Sequence, residues 1–154
     1  MIRLANMVLV VAICGVSQPA SKNKPSGAEL DREKFIGAWR LKAIVGHDGK
    51  PITSGVPAGM LIYTRDGHMS VQLMYPKSEK PLSNEYVLNG YEASFGSYDV
   101  NSSAHTITHH VVGANTGALV GKDLQRVFGF NEDGNLIIKP VRREERWSVT
   151  WQHY

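Results

Sequence analysis

The stretch Gly59 to Met74, GMLIYTRDGHMSVQLM, constrains the fold more than any other part of the chain. Two runs rich in strand-forming residues, Met60 to Thr64 and Met69 to Met74, flank Arg65-Asp66-Gly67-His68. The Asp-Gly pair supplies the positive backbone angle that a tight turn needs, so the stretch predicts a β-hairpin. The same punctuation recurs at His47-Asp48-Gly49-Lys50 and at Asn131-Glu132-Asp133-Gly134. Hairpins joined in series pair each strand with its sequence neighbour, which makes the sheet antiparallel.

The segments between the turns carry strand periodicity. In Trp39 to Val45 the odd positions Trp39, Leu41, Ala43 and Val45 are apolar and two of the three between them are cationic, so one face is expected inside and one in water. Glu92 to Val100 sets Phe95, Ser97 and Asp99 on one face and Gly96, Tyr98 and Val100 on the other. His105 to Val112 is β-branched, Leu124 to Phe130 and Asn135 to Lys139 follow, and Arg146 to His153 alternates Trp147, Val149 and Trp151 on an apolar face. Gly113 to Gly121 is a Gly and Asn loop. Ala28 to Phe35 has room for a turn or two of helix, whereas Ser83 to Asn89, opened by capping residues, is the more convincing one. The count is eight strands and one short helix. An all-β, eight-stranded antiparallel up-and-down barrel follows, because closure removes both sheet edges and eight strands leave an interior for side chains or one small ligand.

The N-terminus reads differently. Arg3 precedes an apolar run from Met7 to Ile13, then small and polar residues, the layout of a secretory signal over residues 1–20. Residues 21–34 form a polar tether and helical lead-in, and 35–154 the barrel domain. The single cysteine, Cys14, closes the apolar run. Val11-Ala12-Ile13-Cys14-Gly15 resembles a bacterial lipoprotein box in which that cysteine is lipidated, although Ile13 stands where a small residue belongs and cleavage after Gly15 or Ser17 competes. Export to the periplasm or medium, with membrane contact only through such an anchor, is the expectation. Losing residues 1–20 lowers the formal net charge of +3 by one, and the cluster Arg142-Arg143-Glu144-Glu145-Arg146 compensates itself. No nucleic-acid partner is indicated.

Phe35-Ile36-Gly37-Ala38-Trp39-Arg40-Leu41 carries Gly37 and Trp39 in a Gly-x-Trp at the start of the first strand, which resembles the opening motif of lipocalins. With Gly59 to Ser70, Phe95-Gly96-Ser97-Tyr98, Thr108-His109-His110-Val111 and Gln125-Arg126-Val127-Phe128, the chain is similar to the small bacterial and fungal lipocalin-like domain family from about Phe35 to Trp151. That family tends to end in a Trp followed two residues later by Arg, where this chain has Trp151-Gln152-His153. A cation packed over the Gly-x-Trp tryptophan would then come from Arg126 or Arg146. Leu119 also stands where the resemblance implies an aromatic residue.

Polar residues in mid-strand are the candidates for a site: Tyr63, Gln72, Tyr98, His109, His110 and Arg126. Tyrosine presents an apolar ring with a hydroxyl tip, suited to a mostly apolar ligand. Arg126 must face solvent, pair with an internal acid such as Asp99, or await an anionic ligand. His109 and His110 point to opposite faces and His105 lies about 13 Å from His109 at strand rise, so no metal site is expected. No cofactor fingerprint is present. Three readings remain: a carrier of a small, largely apolar molecule; an isomerase or cyclase using His109 or His110 with a tyrosine; and a structural lipoprotein with a filled barrel. The tryptophans at 39, 147 and 151 are expected to close one end.

Overall fold

The computed structural model describes residues 27–52 and 58–154, with side chains described from residue 31 onward. The expected leader, Cys14 and the tether as far as residue 26 lie outside the described residues. Helix α1 (Gly27–Phe35) leads into β1 (Gly37–Val45), β2 (Ala58–Tyr63), β3 (His68–Met74), β4 (Tyr91–Asn101), β5 (Thr106–Ala114), β6 (Asp123–Phe130), β7 (Leu136–Pro140) and β8 (Ser148–His153). Each strand pairs antiparallel with the next, and β8 returns to β1 to close the barrel. The opening hairpin is β2 and β3, in register from Ala58↔Met74 to Tyr63↔Met69, with Gly67 at φ 93° in its turn.

The pleat divides the strands between core and solvent, with two breaks: one on β1 against β8, and one between β4 and β5, where Phe95↔Gly113 is followed by Gly96↔Val111 and Val112 is the extra residue. On β1 the alternation runs through Leu41, but the pairing with β8 steps from Leu41↔Trp151 to Ala43↔Thr150. This bulge inserts a residue, so Ile44 is buried and Ala43 is exposed, the reverse of the expected pattern.

The α1 end is plugged by aromatic rings. Phe35 is fully buried and packs edge to face on Tyr63, Phe128 and Phe130 at centroid distances of 5.4, 4.8 and 5.4 Å. Its carbonyl accepts the Trp39 indole N–H at 2.7 Å. Gly37, at φ 135°, lets the His153 ring close in: a Cβ there would overlap the His153 imidazole. His153 meets Trp39 edge-on at 4.6 Å and hydrogen-bonds Ile36 O at 3.2 Å. Neither Arg126 nor Arg146 packs over Trp39; a histidine ring at the family's arginine position fills that place, because it is near enough to bond the backbone that precedes Gly37.

Two further expectations are corrected. The tryptophans do not share one end: Trp39 belongs to the α1 plug, whereas Trp147 and Trp151 line a cavity nearer the opposite end. Ser83 to Asn89 is not a helix. Asn84 Oδ1 accepts from Tyr86 N and Val87 N at 2.8 and 2.9 Å, as a cap does, but Asn89 then enters the left-handed region at φ 53° and Leu88 bridges Tyr91. The segment becomes a loop that buries Val87 over the end of the barrel away from α1. Leu119, at the place expected for an aromatic, is also buried.

Candidate functional site

Above the aromatic plug the barrel holds a cavity of about 320 Å³. At about 30 Å³ per non-hydrogen atom this is room for roughly ten such atoms. Its walls differ in chemistry. On β1, β2, β3, β7 and β8 it meets Ile44, Leu61, Val71, Leu73, Ile138, Val149 and Trp151, whereas on β4, β5 and β6 it meets Glu92, Ser94, His109 and Arg126 together with one apolar residue, Leu124. The loops at its mouth add Asn84, Tyr86 and Trp147. A ligand in this space has one apolar flank and one hydrogen-bonding flank.

His109 is inward because β5 alternates Ile107, His109 and Val111 toward the core. Behind it, the fully buried Tyr63 hydroxyl lies 2.7 Å from His109 Nε2. His109 is the only hydrogen-bond partner of that hydroxyl among the described residues, so the phenol donates and Nε2 accepts. The imidazole proton therefore sits on Nδ1, which has no protein partner among the described residues. Burial, and then the nearby Arg126, lower the His109 pKa to about 3, so the ring is neutral at physiological pH. Burial also raises the Tyr63 pKa well above its ordinary value. Tyr63→Phe is expected to destabilise the protein by about 1–2 kcal/mol, measured by urea unfolding, since it leaves Nε2 without its donor.

Arg126, on β6 between Leu124 and Phe128, is held by π faces rather than by an acid. Its guanidinium lies 5.6 Å from the Tyr86 ring centroid and 5.2 Å from that of Trp147. Among the described residues its one hydrogen bond runs from Nη1 to Gln125 O at 2.9 Å, and no carboxylate is paired with it. Asp99, weighed as its internal partner, is on the outer wall with its side chain 85% exposed. Glu92 projects inward from the start of β4, and burial raises its pKa to about 7 against the opposing pull of Arg126.

Of the six residues singled out from sequence, His109 and Arg126 line the cavity. Tyr63 supports His109 from behind. Tyr98 packs against Tyr63 at 4.7 Å and donates to Thr64 O at 3.0 Å, so it belongs to the α1 end and not to the cavity lining. Gln72 faces outward and accepts from the Tyr91 hydroxyl at 3.1 Å, because its neighbours, the half-buried Val71 and the buried Leu73, claim the inner face of β3. His110 is likewise outside, its Nδ1 2.7 Å from Asp123 and its Nε2 3.0 Å from Asp99, contacts that raise its pKa. Sequence reasoning missed Glu92 and Ser94. The inward parity of Gly96 and Tyr98, run back two and four residues, was the signal for both.

Residues 36–153 match the family model described as a lipocalin-like domain. No curated protein matches the chain.

Proposed function

We propose that this chain, which belongs to the lipocalin-like domain family, carries a small, largely apolar molecule inside its barrel. The observation that carries this reading is the cavity of about 320 Å³, apolar on one flank and polar on the other. Sites of this kind hold a ligand by apolar contact and orient it with a few polar groups. A barrel serving only as a filled structural body would not leave such a space. The Tyr63–His109 pair favours carriage over catalysis, because an imidazole with a pKa of about 3 is a weak base and the phenol behind it keeps its proton. Carriage outside the cytoplasm fits the export expected from residues 1–20, with Cys14 as a lipid anchor where the lipoprotein route is taken.

One experiment addresses both parts. Protein purified from its own host is expected to show, by native mass spectrometry, a non-covalent adduct that denaturation releases, on a chain shortened at the N-terminus. An adduct-free spectrum that no added apolar compound changes would overturn carriage, and an intact Met1 would overturn export.

A further inference from the structure

We propose that the molecule carried in the barrel is a carboxylic acid, with its carboxylate against Arg126 and with His109 Nδ1 and Ser94 Oγ beside it. This rests on the ligand-binding reading and adds the chemistry of the ligand's polar end.

The inventory of the polar flank is the argument. Arg126 offers five N–H donors in a planar fork and spends one on Gln125 O. The rings of Tyr86 and Trp147 flank that fork at 5.6 and 5.2 Å, and its other N–H groups have no acceptor among the described residues. His109 can only donate at Nδ1, because Tyr63 has fixed its tautomer. Ser94 brings a hydroxyl, which can donate as well. A flank so rich in donors, with one cation and no paired carboxylate among the described residues, is complementary to a group that only accepts. A carboxylate is such a group and matches the guanidinium fork in shape. An amine would be repelled by Arg126. A phosphate dianion would bring more charge than this single arginine balances. The opposite wall of Leu61, Val71, Leu73 and Val149 leaves the rest of the ligand apolar.

Glu92 refines the expectation. Arg126 from β6 and Tyr75 just beyond β3 act on it electrostatically, and His109 from β5, Ser94 along β4, and His47 and Tyr86 from the loops line the same cavity. With its pKa at about 7, Glu92 is a neutral donor in mild acid and an anion in mild base. Once ionised it competes with the ligand for Arg126. Affinity for an acid should therefore fall as pH rises through about 7, while affinity for a neutral analogue should not.

The test uses octanoate, 1-octanol and octylamine, each about the size of the cavity, titrated calorimetrically into the full protein freed of any retained adduct. At about pH 6, octanoate is expected to bind at least roughly tenfold more tightly than octanol, with octylamine weakest. Arg126→Met should bring octanoate to the level of octanol and leave octanol within about twofold; Arg126→Lys should keep part of the preference. Between about pH 6 and pH 8 the octanoate-to-octanol preference should drop several-fold in the wild type and stay level in Glu92→Gln. This arm carries the test if Arg126→Met fails to fold. Octanol bound as well as octanoate, or a preference that survives Arg126→Met, would overturn the carboxylate assignment and leave carriage standing. Binding of none of the three, together with an adduct-free native spectrum, would overturn both.

Discussion

Phe35→Ala is expected to lower stability by about 3–5 kcal/mol, and Phe35→Leu by about 1–2 kcal/mol. The side chain is fully buried and edge to face with three aromatic partners, so its removal leaves a cavity that Tyr63, Phe128 and Phe130 can fill only by moving. The rest of α1 gives little help. The helix has nine residues, too few to hold itself in water, and the sequence Asp31-Arg32-Glu33-Lys34 before Phe35 is polar. Among the described side chains its other ties to the barrel are an ion pair between Arg65 and Glu33, a bond from Arg32 to Arg65 O, and cation–π contacts of Arg32 with Tyr98 and of Lys34 with Phe130, all made by exposed helix residues, where each contributes at most about 1 kcal/mol. Urea unfolding followed by tryptophan fluorescence reads the loss directly. A loss below about 1 kcal/mol in Phe35→Ala would show that the plug does not hold the barrel.

Glu92→Gln should change the pH dependence of stability more than any single exposed charge. A carboxyl whose folded pKa is raised from 4.5 to about 7 keeps its proton in the native state while the unfolded chain has released its own. Stability from this group is therefore present below pH 4.5 and lost as pH rises toward about 7, by about 2–3 kcal/mol once partial exposure is allowed for. His109 acts in the opposite sense. Its folded pKa is lowered from 6.5 to about 3, so its contribution is intact above 6.5 and is lost as pH falls. Over the window from 4.5 to 6.5 the two slopes oppose each other, and the wild type should be nearly flat. Glu92→Gln removes one of them, so its stability should rise across that window and exceed the wild type's at about pH 8 by about 2–3 kcal/mol. Paired denaturation curves at several pH values make the comparison, and curves that run parallel for the two proteins would refute the role assigned to Glu92.

Much of the barrel is legible in the sequence. Period-two alternation and Asp-Gly turns are local signals, and an up-and-down barrel needs only neighbour-to-neighbour pairing, so strand number, order and approximate bounds followed from the residues. The site was less legible. Parity along β4 implied that Glu92 and Ser94 share the face of Tyr98, but not that this face is open at Glu92 and plugged at Tyr98. The plug depends on Phe35, Phe128 and Phe130, which arrive from α1 and β6. The helix was misplaced for a related reason. Ser83 to Asn89 has the better local cap, yet α1 has the better tertiary anchor, and Phe35 outweighed the propensity difference.

By itself, then, the sequence determined an eight-stranded antiparallel barrel, through turn chemistry and alternation that act between near neighbours. The tertiary structure alone decided which polar residues meet. His109 turned to the cavity and His110 to solvent, Gln72 to the outer wall, and Glu92 came within electrostatic reach of Arg126. The pleat gives each strand two faces, and only barrel closure and the filling of one end decide what each inner position confronts.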